Sequence, residues 1–131
     1  MTTEIKVEIS CGKLIDKLTI LSIKSEKIKD KEKLKNVQHE FKVLNGISQK
    51  LKSLNPDEFD NFFKKLRIIN LSLWDIEDEI RKFEKESNFG KDFIELARSV
   101  YITNDERFRT KNEINTFFSS GIVEEKDYEE Y

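Results

Sequence analysis

The stretch FFKKLRIINLSLWDIEDEIRKF at residues 62–83 decides the fold, because Phe62, Leu66, Ile69, Leu73, Ile76, Ile80 and Phe83 recur at alternating steps of four and three. An α-helix of 3.6 residues per turn gathers all seven on one stripe, and a strict 4-3 repeat packs at a shallow angle against other helices. A strand would turn every second side chain to the opposite face and expose half of them. Counted back to Pro56, the segment makes a rod of about 30 residues and about 45 Å.

Toward the N-terminus, Leu34, Val37, Phe41, Leu44, Ile47, Leu51 and Leu54 repeat the helical spacing between about Glu32 and Leu54. Asn55 and Pro56 then mark a turn into the next helix. An earlier helix, capped by Ser10 and reaching about Lys29, has Leu14, Leu18 and Leu21 on one face and Ile20 and Ile23 nearly opposite. Apolar residues on two sides predict a helix held between neighbours. Before it, Ile5, Val7 and Ile9 alternate with Glu4, Lys6 and Glu8, the period of a short strand within an arm at residues 1–9. A single strand leaves its backbone groups unpaired, so it needs Ile122 and Val123 of the C-terminal tail, or a second subunit. A homodimer is therefore expected.

Toward the C-terminus, Asn88 and Gly90 punctuate a turn before a fourth helix from about Phe89 to Phe118. A bend is expected near Ile102 to Asn104, where β-branched residues and Asn propagate helix poorly and Thr103 with Glu106 could form a capping box. Ser119, Ser120 and Gly121 end it, and the acidic tail at 122–131 reads as a solvated end. The expected architecture is all-α: one domain over residues 1–131, an elongated antiparallel bundle of four long helices with a short N-terminal β-strand.

Composition agrees. Charged residues make up 38% of the 131-residue chain while Gly and Pro number four and one, which favours long exposed helices over a many-turned β fold. The length allows a real core without staples, and the single Cys11 rules out an intramolecular disulfide. Charges interrupt every hydrophobic segment, so no membrane span is expected and a cytoplasmic location is. The net charge of −2 divides into +5 over residues 1–55 and −7 over residues 56–131. Neutralisation between the halves explains this, and the Lys-rich run from Lys24 to Lys35, interleaved with acids and free of aromatics, argues against nucleic acid.

The candidate site lies on the fourth helix, where Phe93, Ala97, Tyr101, Asn104, Phe108, Lys111, Asn115 and Phe118 share one face. Amide and ammonium groups in a buried stripe cost a few kcal/mol (~2–4) unless partners, water or a ligand satisfy them. If the third and fourth helices form a tight hairpin, Glu77 falls level with Tyr101 and Asn70 near Arg107. Asn70, Glu77, Tyr101, Asn104 and Lys111 thus define a polar pocket or a buried network that fixes helix register.

A second constellation points to metal. Asp75 and Asp78, then Asp92 and Glu95, could let two helices present carboxylates to Mg²⁺ and a polyphosphate. This faintly resembles the acidic motifs of all-helical nucleoside triphosphate pyrophosphohydrolases, which use Glu at three of these four positions. Against it, Asp75 and Asp78 face away from the seam, and Asp92 with Glu95 makes an ordinary N-terminal pair. Cys11-Gly12-Lys13 lacks the first glycine of a phosphate-binding loop, so Ser10 and Gly12 offer at most an anion seat at a helix start. The sole His39 stands in no motif with Cys11, which disfavours nucleophilic catalysis.

Three segments, residues 9–21, 73–81 and 93–115, resemble an uncharacterised small all-helical protein family of marine bacteria and their phages. The resemblance spans nearly the whole chain and implies no established activity. It singles out Ser10, Gly12, Asp16, Lys17, Thr19, Trp74, Glu77, Asp78, Arg81, Arg98, Tyr101, Asn104, Asp105 and Lys111; Lys13 departs from its pattern, which has Glu there. Glu77, Tyr101, Asn104 and Lys111 emerge from both lines of reasoning. The expected function is a binding or assembly module with a polar pocket between its last two long helices, without a cofactor. The alternatives are the Mg²⁺-dependent hydrolase and a purely structural oligomeric scaffold.

Overall fold

The computed structural model describes residues 2–131 as four helices: α1 (Cys11–Lys27), α2 (Lys31–Leu54), α3 (Pro56–Lys85) and α4 (Lys91–Phe117). Each of the first three begins on a side-chain cap: Ser10, Asp30 and Asn55 accept from the backbone N–H of Lys13, Lys33 and Glu58. Pro56 occupies the first turn of α3, where its missing N–H has no helical partner to lose.

The all-α expectation holds, but the N-terminal strand does not form among the described residues. Residues 2–10 have no regular structure, with Ile5 83% and Val7 74% exposed. Alternation alone does not make a strand: Ile122 and Val123, also largely exposed, offer no ladder to satisfy the arm's backbone.

α1 is the centre of the packing. It buries Leu14, Ile15, Leu18, Leu21 and Ile23 around its circumference, touches all three other helices, and joins Leu51, Phe59, Leu66 and Ile114 in the main core. Each such side chain contributes about 1.5–3 kcal/mol on leaving water. Phe62 meets Phe117 edge-on at 5.7 Å, and Lys65 pairs with Glu113 at 3.1 Å across the α3–α4 contact.

Where α1 stops covering the α3–α4 pair, burial stops too. The buried residues of α3 are Phe59, Leu66, Ile69 and Asn70, and those of α4 are Thr110, Lys111, Ile114 and Asn115. The second half of the 4-3 seam, Leu73, Ile76, Ile80 and Phe83, is only partly covered. α4 continues as helix through Ile102–Asn104, so the capping box of Thr103 and Glu106 does not form. Both α3 and α4 end on serines at positive φ, Ser87 (54°) and Ser119 (53°), with Asn88 N–H bonded to Phe83 O and Ser120 N–H to Asn115 O. That is the left-handed helix ending usually given to glycine.

Candidate functional site

The polar stripe of α4 serves two separate places. At its C-terminal end, Lys111 and Asn115 turn inward and are 7% and 2% exposed. Asn115 Oδ1 accepts the N–H of Gly12 at 2.7 Å, Ser120 Oγ accepts that of Cys11 at 3.1 Å, and Ser10 Oγ accepts that of Lys13 at 3.1 Å. The N–H groups of Cys11, Gly12 and Lys13 are thereby spent on the protein's own side chains. Gly12 is needed here. A Cβ on it would stand 2.5 Å from the carbonyl oxygen of Lys111 and 3.0 Å from Asn115 Oδ1.

Lys111 does not reach Glu77. Its ammonium donates to Glu124 at 2.7 Å, and this hydrogen bond, with the charge of Lys111, holds the Glu124 carboxyl below the usual range against the opposing effect of burial. The acidic tail, expected to be a solvated end, keeps an exposed outer side yet lies back along α4. Lys126 sits 5.0 Å from the Phe108 ring, Tyr131 packs edge-on against Tyr101 at 5.2 Å, and the Tyr131 hydroxyl donates to Asp105. That bond to Asp105 raises the Tyr131 pKa.

One helical turn toward the middle of the molecule lies a buried network. Asp16, 2% exposed on α1, accepts from Arg107 Nε at 3.0 Å and Nη2 at 2.5 Å, and from Asn70 Nδ2 at 2.8 Å. Asn70 Nδ2 also lies 2.8 Å from Thr19 Oγ1, which donates to the carbonyl of Asp16 at 2.7 Å. The two-pronged guanidinium–carboxylate pair is the strong form of such a contact, and the hydrogen bond to Asp16 raises the Arg107 pKa.

This network is the floor of a cleft of about 430 Å³ between α1, α3 and α4. Ile20, Ile23, Leu73 and Trp74 make its apolar wall, and Asn70, Glu77, Asp78, Arg81, Asn104 and Arg107 its polar lining. Glu77 and Arg81 pair at 3.3 Å, one turn apart on α3. Asn104, Asp78 and the Trp74 indole N–H make no side-chain hydrogen bond among the described residues.

Of the residues expected at a site, the structure gathers Asn70, Glu77, Arg81 and Asn104 in the cleft. Tyr101 and Asp105 serve the tail, Lys111 serves Glu124, and Arg98 lies exposed beside Glu95 at 3.6 Å. The four carboxylates proposed for Mg²⁺ are divided: Asp78 lines the cleft, whereas Asp92 and Glu95 sit nearer the α3–α4 turn. Among the described residues no three His, Cys, Asp or Glu side chains form a metal-holding group.

Helical geometry placed Arg107 level with Asn70 but gave it no role. The resemblance singles out Asp16 without a partner; the missed signal was its place on the apolar face of α1 with Gly12, Thr19 and Ile23, where a carboxylate demands a cationic partner.

A helical domain built around one sandwiched helix, with a lateral cleft floored by a buried ion pair, is the class that fold and site define. The chain belongs to a family of unknown function (DUF6165), which it matches over residues 5–131. No curated protein and no solved structure matches it. No helix among the described residues is long and apolar enough to cross a membrane.

Proposed function

We propose that the chain is a binding module whose cleft takes a small polar ligand with an apolar body. The observation that carries this is the division of labour among the cleft's polar groups: Asp16, Arg107, Asn70 and Thr19 satisfy one another, while Trp74, Asp78 and Asn104 above them are unspent. A rigid, satisfied floor beneath free donors and acceptors and a partly apolar wall is the ordinary composition of a small-molecule site, and the volume falls within the usual ~300–1,000 Å³.

Trp74 is the sole tryptophan, so its emission or its single indole N–H resonance reports on the cleft directly. Screening a fragment collection against that signal should yield ligands whose effect disappears in Asn104→Ala while the fold persists. A purely structural scaffold predicts none. A Mg²⁺-dependent hydrolase predicts thermal stabilisation by Mg²⁺ with a nucleotide, lost in Asp78→Ala.

The elongated antiparallel arrangement and the homodimer belong to the same proposal. Ile47, Leu54 and Ile68 are 57%, 67% and 72% exposed, and with Ile5 and Val7 of the arm they support coverage by a second copy. Sedimentation should then give twice the 15.6 kDa chain mass. A monomer at high concentration would remove the dimer and leave the cleft untouched.

A further inference from the structure

The charges around the cleft do not cancel, and the remainder selects a ligand class. Arg107 is committed to Asp16 by two hydrogen bonds, and Arg81 is paired with Glu77 at 3.3 Å. Asp78, which also lines the cleft, has no ion pair among the described residues. The lining itself balances Glu77 and Asp78 against Arg81 and Arg107, but with Asp16 beneath it bound to Arg107 the site as a whole keeps one carboxylate, Asp78, without a partner and a net charge of −1. Beside that carboxylate stand the Trp74 ring, whose face attracts cations, and the side-chain amide of Asn104, whose oxygen can accept an N–H.

We infer that the cleft binds a primary amine carried on an aromatic or aliphatic body, the ammonium held by Asp78 and Asn104 and the body lying against Trp74, Leu73 and Ile23. Phosphorylated and carboxylate ligands are disfavoured, because each would bring a negative charge beside the unpaired Asp78 to a site that, with Asp16 counted, is already negative. An anion beside Asp78 would have to draw Arg81 away from Glu77. This inference rests on the binding reading above and names its ligand class.

The test uses a charge-switched pair of similar size. Tyramine and 4-hydroxyphenylacetate share a phenol ring and differ in the sign of the terminal group, and p-cresol supplies the ring alone. Each is titrated into the ¹⁵N-labelled protein while the Trp74 indole resonance is followed. Tyramine should shift that resonance saturably, and 4-hydroxyphenylacetate should bind at least about tenfold more weakly, as should tyramine to Asp78→Asn, the loss expected for one charge-assisted hydrogen bond. Asp78 is exposed, so the variant keeps the fold.

Equal or tighter binding of the carboxylate, or undiminished tyramine binding to Asp78→Asn, overturns the amine assignment and leaves the cleft a binding site. Absence of any shift with all three compounds at millimolar concentration overturns the amine assignment as well; if the fragment screen is silent too, the binding reading falls with it.

Discussion

The two ends of the α3–α4 pair share one continuous 4-3 stripe on α3 and end up in different states. Around Leu66, Asn70, Lys111 and Asn115, α1 lies across the pair, the apolar side chains are sealed, and Asp16, Asn70 and Lys111 are hydrogen-bonded, although Asn112 Oδ1 and Asn115 Nδ2 have no partner among the described residues. Beyond Leu73 and before Asn104, where α1 contributes only Ile20 and Ile23 to the cleft wall, the same 4-3 stripe of α3 remains half open. The cleft is the boundary between these regimes. In the proposed reading its floor takes rigidity from the packed side and its rim takes unspent groups from the open side, so polar side chains could be offered to a ligand without loss of the core.

The sharpest way to break this contrast is to remove the carboxylate at its foundation. Asp16→Ala leaves Arg107 and Asn70 without their shared acceptor in the interior, and should cost about 3–5 kcal/mol in chemical denaturation, a large part of a typical ~5–15 kcal/mol total. A loss below about 1 kcal/mol would mean that Arg107 reaches water and the floor is not rigid.

Gly12→Ala comes next. Its new Cβ meets backbone, not a flexible side-chain tip, so α1 and α4 must separate, at about 1–3 kcal/mol. Gly46, in the middle of α2 with nothing within 4 Å of an added Cβ, is its counterpart: Gly46→Ala should gain about 0.5–1 kcal/mol. Opposite signs for one chemical change would measure the difference in packing directly.

Glu124→Gln should cost about 1–2 kcal/mol near neutral pH, less than a fully buried pair because the Glu124 side chain is 37% exposed. The folded-state pKa of Glu124 is depressed, so its contribution is present above the unfolded-state value of about 4.3 and fades as pH falls through the folded one. The variant and the native chain should therefore converge in acid. Tyr131 acts on the other side: its pKa is raised, so the tail contact is intact below about pH 10 and is lost as pH rises through the folded value. An ultraviolet titration of the phenols should show one of the three tyrosines ionising late. The smallest effect belongs to Asn104→Ala, within about 0.5 kcal/mol in stability, since this side chain makes no hydrogen bond that would be lost.

Much of the fold was legible because periodicity is a local property. Ser10, Asn55 and Pro56 placed two helix starts, and two-sided apolar residues placed α1 between neighbours. The 4-3 stripe named the seam of α3 but not its coverage, which depends on where α1 ends. The strand was misread because Ile5, Val7 and Ile9 carry the right alternation without a partner to pair with. In the cleft, Asn70, Glu77 and Asn104 followed from helical register, and Arg81 from the family resemblance. Lys111 and Asn115 were rightly turned inward, but their partners Glu124 and Gly12 come from segments whose approach no helical pattern encodes.

Native-state hydrogen exchange, resolved by residue, tests the contrast between the two ends most directly. Amides at residues 66–70 and 107–115 should exchange only through global unfolding, while those at 76–85 and 91–102 should open locally at a lower free energy and a smaller denaturant dependence. A single common opening free energy along both helices would contradict it, and the cleft would then lie within one uniformly stable body.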